Sequence, residues 1–134
     1  MESTTFQVRT GDRFAVVDLT EKIREFVQGR ADGLCHVFVP HATAGLAIFE
    51  LGAGTEEDVE TAVADLLPRD ARWVHRHGSP GHGADHVLPA LIAPSLSVPV
   101  LDGAPALGTW QSVVLVDPNV DNAARTVRLS WLAG

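Results

Sequence analysis

Histidine is the residue type whose positions point most directly to chemistry in this sequence. The chain has six histidines among 134 residues, and His75, His77, His82 and His86 fall within one short segment. Neutral imidazole is the commonest metal ligand in proteins and titrates near neutrality, so the pattern predicts a divalent-metal site or a general acid/base. Exposed loop histidines without a function would give the same pattern, because no tight ligand motif such as HExxH is present.

A fifth histidine, His41, follows an apolar run that is predicted to be a strand, and Glu50 ends the next predicted strand. Two or three histidines plus one carboxylate, with an open coordination position, are typical of a catalytic metal site. Glu50 could supply that carboxylate. Thr43 could bind a phosphate or simply satisfy its own turn. Arg125 could face an anion, although an exposed arginine needs no such partner.

Spacing within the histidine-rich segment gives partial guidance on geometry. His75 and His77 would face the same way on an extended chain. His82 and His86 have the i,i+4 spacing that places side chains together on a helix. The glycines and proline around His82 argue against a helix there and favour a loop that brings backbone N–H groups close to a ligand. An ordinary flexible loop is the alternative.

Hydrophobic periodicity and turn residues predict the elements that must position these side chains. Predicted strands cover residues 5–9, 14–18, 34–39, 44–49, 95–100, 107–116 and 126–132. Predicted helices begin near 18–20, run over 56–67 and cover 86–92, and residues 69–85 form a long loop. Trp110 is predicted to be a core residue and Gln111 a buried polar one. Many strands with few short helices, without βαβ alternation, predict an α+β fold.

Composition places the chain among globular proteins of one domain, residues 1–134: it is 46% hydrophobic and 20% charged. Seventeen acidic against ten basic residues give a formal net charge of -7, which argues against binding to nucleic-acid phosphates. The longest apolar stretch, 87–101, holds three prolines and is shorter than the roughly 20 residues that span a bilayer. We therefore expect a cytoplasmic protein with no membrane partner and a buried, unpaired Cys35.

Several short motifs, taken in order, resemble one known family. They are HATAG at 41–45, Glu50, a histidine-bearing loop, DHVLPALIAPSLSVPV at 85–100 and LGTWQSVVLV at 107–116. This order is similar to that of the YjbQ-like family, whose members are labelled secondary thiamine-phosphate synthase enzymes, over about residues 5–132. The resemblance implies an α+β fold with a β-sandwich-like core of mainly antiparallel strands and two or three short helices, packed as a homotrimer. It also implies a weak activity that joins a pyrimidine-methyl pyrophosphate to a thiazole phosphate with loss of pyrophosphate.

The resemblance further implies a set of site residues. Its catalytic residues would be His41, Glu50 and His86, and its metal ligands His41, His75 and His86. Its substrate contacts would be Thr43, Thr109, Gln111 and Arg125. Histidine and carboxylate ligands suit Zn²⁺, Mn²⁺ or Fe²⁺ better than Mg²⁺, and such an ion would steady the leaving group of a small phosphorylated substrate.

The chain departs from the family pattern near these positions. Many members have Asn before the Glu and acidic residues directly after it, whereas here the neighbours are Phe49 and residues 51–54. His82 stands where many members have Asn and His77 is additional, so either His75 or His77 could take the family position. A non-enzymatic trimer that binds a metal or a phosphorylated metabolite is an alternative, because no activated nucleophile is recognisable. A purely structural protein would leave the histidines unexplained.

Overall fold

The structure is a computed structural model that describes all residues, 1–134, as eight strands and three helices. The strands are β1 (Glu2–Arg9), β2 (Ala15–Asp18), β3 (Gly33–Phe38), β4 (Gly45–Phe49), β5 (Ser95–Leu101), β6 (Ala104–Pro105), β7 (Ser112–Asp117) and β8 (Ala124–Ala133). The helices are α1 (Thr20–Val27), α2 (Thr55–Leu66) and α3 (His82–Leu91). No helix combines the length and the apolar character that crossing a membrane requires.

The strands form two antiparallel sheets. The larger has the order β1-β8-β3-β5-β6 and the smaller the order β2-β7-β4. Strands β8 and β7 lie in the interior of their sheets: β8 pairs with β1 and β3, and β7 pairs with β2 and β4. With three helices beside these sheets, the predicted α+β fold of mainly antiparallel strands is confirmed.

The core lies between the sheets and α1. Alternate residues of the strands point into it, as expected for strands with one buried face. Ile23 and Val27 of α1 complete the core from one side, and both are fully buried. Fully buried strand residues of this core are Cys35, Val37, Val100, Val113, Leu115 and Val127. The expected burial of Cys35 is therefore confirmed.

The predicted strand over residues 107–116 is wrong in its first half, because β7 begins only at Ser112. The preceding residues form a turn, in which the Gln111 N–H donates to the Gly108 carbonyl (3.1 Å) and the Gly108 N–H donates to Gln111 Oε1 (2.8 Å). Trp110 is 72% exposed in this turn, so its predicted place in the core is also wrong. Gln111 is exposed as well. Apolar composition alone did not reveal the local hydrogen bonds that close the turn.

Helix α3 begins at His82, four residues earlier than the sequence predicted. Gly83 lies inside the helix because its neighbours leave no room for a side chain: a Cβ would lie 2.5 Å from both the His75 carbonyl oxygen and Trp73 Cβ. The glycine thus serves close packing rather than a loop. Because α3 begins at His82, the side chains of His82 and His86 do lie one turn apart on a helix.

Candidate functional site

Three histidines converge at the start of α3. One ring nitrogen from each of His75, His82 and His86 lies within 4.8 Å of the other two. His82 Nε2 and His86 Nε2 are 3.0 Å apart, and the ring centroids of His75 and His86 are 3.9 Å apart. We call these three residues the histidine cluster. Three converging imidazole nitrogens are a donor set that binds Zn²⁺ and related ions.

His75 and His77 differ in their position relative to the histidine cluster. His75 contributes a nitrogen to the cluster, whereas His77 is exposed and is not among the three. The His77 ring still packs against His75, with 3.9 Å between centroids and the ring planes tilted by 59°. Of the two histidines that the sequence left open, the structure therefore places His75 with His86.

Desolvation favours the metal-binding, neutral form of two cluster histidines, His75 and His86. Desolvation lowers the pKa of His75, and the neighbouring His77 and His82 lower it further. The pKa of His86 is lowered for the same main reason, with His75, His82 and His77 adding to the effect. Both rings therefore favour the neutral state at neutral pH, which is the state that ligates a cation.

Two carboxylates approach the side of His82 that faces away from the cluster. Asp121 Oδ2 lies 2.8 Å from His82 Nδ1, and Asp85 Oδ2 lies 3.6 Å from it. Asp121 accepts hydrogen bonds from the Ser79 hydroxyl (2.6 Å) and N–H (3.2 Å), which lower its pKa. Asp85 is 3% exposed and pairs with Arg69; burial raises its pKa against the opposing effect of Arg69.

His41 occupies a separate environment and is not part of the histidine cluster. Its Nε2 accepts a hydrogen bond from the Thr126 backbone N–H at 2.9 Å. A neutral ring that accepts at Nε2 carries its proton on Nδ1, so His41 is a hydrogen-bond donor on its other side. Burial and the charge of Arg125 lower the pKa of His41, and Asp117 partly opposes this shift.

Arg125 anchors the loop that carries His41. Its Nε donates to Asp117 Oδ2 (2.7 Å) and its Nη2 donates to Asp117 Oδ1 (2.9 Å), with both side chains almost fully buried. Nη2 also donates to Thr43 Oγ1 at 2.9 Å. These internal partners occupy Arg125 and Thr43, and the substrate contacts assigned to both residues stay predictions.

The remaining residues that the resemblance assigned to the site lie on the surface. Glu50 follows the end of β4, is exposed and is not among the residues whose ligand atoms converge. Thr109 and Gln111 are exposed in the turn before β7. The structure does not bring Glu50 to the histidine cluster, and the catalytic and substrate-binding roles of all three residues stay predictions.

Two clefts adjoin the cluster and share Arg69 in their walls. The more polar one, about 350 Å³, is lined by 12 residues of the segment 69–83, among them His75, His82 and Arg76. The other, about 480 Å³, lies between α2 and α3 with apolar side chains such as Leu67 and Leu88 in its wall. Both volumes fall within the range of small-molecule sites.

Sequence reasoning missed part of this arrangement. It left the role of His82 open and did not single out Asp85 or Asp121. The i,i+4 spacing of His82 and His86 was the available signal for the first. Asp121 reaches the cluster from the distant β7–β8 connection, and no local pattern predicts such a contact.

Comparison with known proteins agrees with this architecture. Residues 4–134 match the sequence model of the UPF0047 protein YjbQ-like family. A UPF0047 protein of Mycobacterium tuberculosis is 58% identical over 134 residues, with all of both chains covered. A hypothetical protein from Aeropyrum pernix K1 superposes with a TM-score of 0.89 at 33% identity over 100% of both chains. A YbjQ-like protein of unknown function from Sulfolobus solfataricus P2 gives 0.91 at 25% identity, covering 99% of this chain and 97% of the other. The chain therefore belongs to the UPF0047 YjbQ-like family.

Proposed function

We propose that this protein binds a divalent metal ion through His75, His82 and His86 and acts on a small phosphorylated molecule beside it. The observation that carries the proposal is the convergence of three ring nitrogens within 4.8 Å. Bound Zn²⁺, Mn²⁺ or Fe²⁺ would supply Lewis-acid stabilisation of a phosphate or pyrophosphate leaving group.

An unpaired buried nitrogen supports a metal in this place. His75 Nε2 is buried and has no hydrogen-bond partner. Leaving a buried polar atom unpaired costs on the order of 1–3 kcal/mol, and a coordinated cation would remove that cost. We leave His41 out of the metal-binding set because its Nε2 lone pair already accepts the Thr126 N–H.

The two clefts fit the two ends of such a substrate. Arg69 and Arg76 line the polar cleft next to the histidines, and arginine is well suited to binding phosphate oxygens. The cleft between α2 and α3 offers an apolar wall to an organic group. We propose that the phosphate end lies at the polar cleft and the organic end in the other.

The specific reaction that we propose is a weak thiamine-phosphate synthase activity. The bond between the pyrimidine methylene carbon and its pyrophosphate oxygen breaks, and pyrophosphate leaves with the electron pair. A new bond forms between that carbon and the nitrogen of the thiazole phosphate. Arg69 and Arg76 would stabilise the negative charge that develops on the leaving group, which is the usual task of cationic side chains in phosphate chemistry.

A non-enzymatic role in binding a phosphorylated metabolite is the second candidate. The state of the single thiol favours it over covalent catalysis: Cys35 is fully buried, and burial raises its pKa to about 11. Such a thiol is inert as a nucleophile. Thermal stabilisation by pyrophosphate without turnover of the two thiamine precursors would support binding alone.

Metal content of tag-free protein tests the proposed site. Wild type should carry about one ion per chain after loading with Zn²⁺, whereas His82→Ala and His86→Ala should lose most of it. His36→Ala is the matched control, since His36 lies on the sheet and bonds Ser97 instead. Wild type that binds no ion, or cluster variants that keep full occupancy, would contradict the metal site. Pyrophosphate release from the two thiamine precursors by metal-loaded protein then separates catalysis from binding.

We also propose that the chain forms a homotrimer in the cytoplasm. The outer face of the larger sheet exposes Leu34, Phe38, Leu101 and Leu132, which are 38–51% accessible. Leu34 and Leu132 are register partners, so their side chains lie together. Exposed apolar side chains on one sheet face are typical of an interface. Sedimentation should give a trimer, and Leu34→Glu should dissociate it; a monomeric wild type at micromolar concentration would contradict the assembly.

A further inference from the structure

We infer that Asp121 is a positioning residue that holds His82 with its proton on Nδ1 and thereby keeps the Nε2 lone pair directed at the metal ion. The inference rests on the proposed metal site. It concerns the connection between β7 and β8, which supplies no ligand of its own to the histidine cluster.

The surroundings of His82 leave Asp121 as the acceptor for an Nδ1 proton. His82 is 11% exposed, and Asp121 Oδ2 is 2.8 Å from Nδ1. The alternative acceptor, Asp85 Oδ2, is more distant at 3.6 Å, and Asp85 also pairs with Arg69. Nδ1 makes no well-directed hydrogen bond. A small rotation of the ring would align N–H with the Asp121 carboxylate.

Asp121 is itself held in place, as a positioning group must be. Its Oδ1 accepts the Ser79 hydroxyl at 2.6 Å and its Oδ2 accepts the Ser79 N–H at 3.2 Å. Gly78 lets this segment approach, because a Cβ there would lie 2.9 Å from Asp121 Oδ2 and 2.8 Å from the His82 ring. Gly78 also has a φ of +82°, which favours glycine.

A carboxylate behind a ligating histidine has a known physical effect. It fixes the tautomer and the orientation of the ring and makes the opposite nitrogen a stronger donor. Loss of such a partner lowers metal affinity by about 10–100-fold. Asp121 is therefore expected to set the metal affinity of the cluster without touching the ion.

The test compares Zn²⁺ affinity, by competition with a chromophoric chelator, and the visible spectrum of the Co²⁺-loaded full-length protein. Asp121→Asn should bind Zn²⁺ about 10–100-fold more weakly than wild type and shift the Co²⁺ bands. Asp121→Glu should recover part of the affinity. Ser79→Ala, which removes the shorter of the two hydrogen bonds to the Asp121 carboxylate, should give an intermediate loss. Asp65→Asn on α2, an exposed carboxylate outside the site, should match wild type.

The outcomes separate this inference from the proposed function. If wild type binds neither Zn²⁺ nor Co²⁺, the metal site itself is wrong and the inference falls with it. If wild type binds but Asp121→Asn and Ser79→Ala bind within twofold of it, with unchanged Co²⁺ spectra, Asp121 has no positioning role and the metal site stands. Circular dichroism of each variant identifies loss of fold, and Ser79→Ala keeps the test valid should Asp121→Asn unfold.

Discussion

Replacing Arg125 by methionine should destabilise the protein more than any surface substitution, because it leaves the buried Asp117 carboxylate without its cationic partner. Arg125 and Asp117 are 3% and 0% exposed and share two hydrogen bonds of 2.7 and 2.9 Å. Methionine fills a similar volume but leaves the Asp117 carboxylate with only the Asn119 N–H, at 2.9 Å, as a donor. Removing one partner of a buried ion pair costs about 3–5 kcal/mol.

Urea unfolding measures this loss directly. Small domains have free energies of unfolding of about 5–15 kcal/mol, so a loss of about 4 kcal/mol would remove a large share of the total. With a urea dependence of about 2 kcal/mol per molar, the unfolding midpoint should fall by about 2 M. Far-UV circular dichroism in urea, with slopes fitted for each variant, gives both values.

A double variant distinguishes the cost of an unpaired buried charge from the cost of lost packing. In Arg125→Met with Asp117→Asn no charge remains, and the asparagine oxygen can still accept the Asn119 N–H. We expect the double variant to be at least about 1–2 kcal/mol more stable than Arg125→Met alone, because replacing both members of a buried pair is often close to neutral. A loss below about 1 kcal/mol for Arg125→Met, or a double variant that is the less stable one, would refute the reasoning.

Three further outcomes follow from burial and close packing. Because the folded-state pKa of His41 is lowered, the contribution of neutral His41 to the free energy of unfolding is fully present above the unfolded pKa near 6.5 and is lost as the pH falls below that value. In urea unfolding, His41→Gln should therefore lose less stability than wild type between pH 7.5 and pH 5. Cys35, with a pKa of about 11, should resist Ellman's reagent at pH 8 in the native state and react fully in urea; rapid native labelling would contradict its burial. Gly45→Ala places a Cβ 2.0 Å from the Ile92 carbonyl oxygen and should cost about 1–3 kcal/mol, whereas Gly108→Ala, near only a flexible glutamine, should be almost neutral; equal urea midpoints would argue against this packing.

Most of the fold could be predicted because its core signal is local. Alternation of apolar residues marks the strands, and the apolar stripe of Ile23 and Val27 marks α1, since both patterns reflect one buried face. The errors lie where a tertiary contact outweighs local preference. Gly83 is tolerated in α3 because Trp73 and the His75 carbonyl fill the space of a side chain. Strand β6, of two residues, is too short to show any period.

The candidate site was harder to predict than the fold because its residues come from separate parts of the chain. Histidine type and spacing identified the segment that holds His75 and His86, and the resemblance singled out the same two. The sequence could not show that α3 starts early enough to place His82 beside them. It also could not show that the Nε2 lone pair of His41 is taken by a backbone N–H, since that contact joins residues 85 positions apart.

One connection in the chain, residues 118–123 between β7 and β8, joins the two histidine environments. At its base, Asp117 and Arg125 form the buried pair that braces the loop of His41. Near its tip, Asp121 meets His82. Between them, the Asn119 amide donates to Thr10 Oγ1 at 2.9 Å and fixes the connection to the start of the chain. The connection is therefore held by side-chain contacts at its base, in its middle and near its tip. One short segment of the chain thus contacts both histidine environments, although His41 supplies no ligand to the histidine cluster.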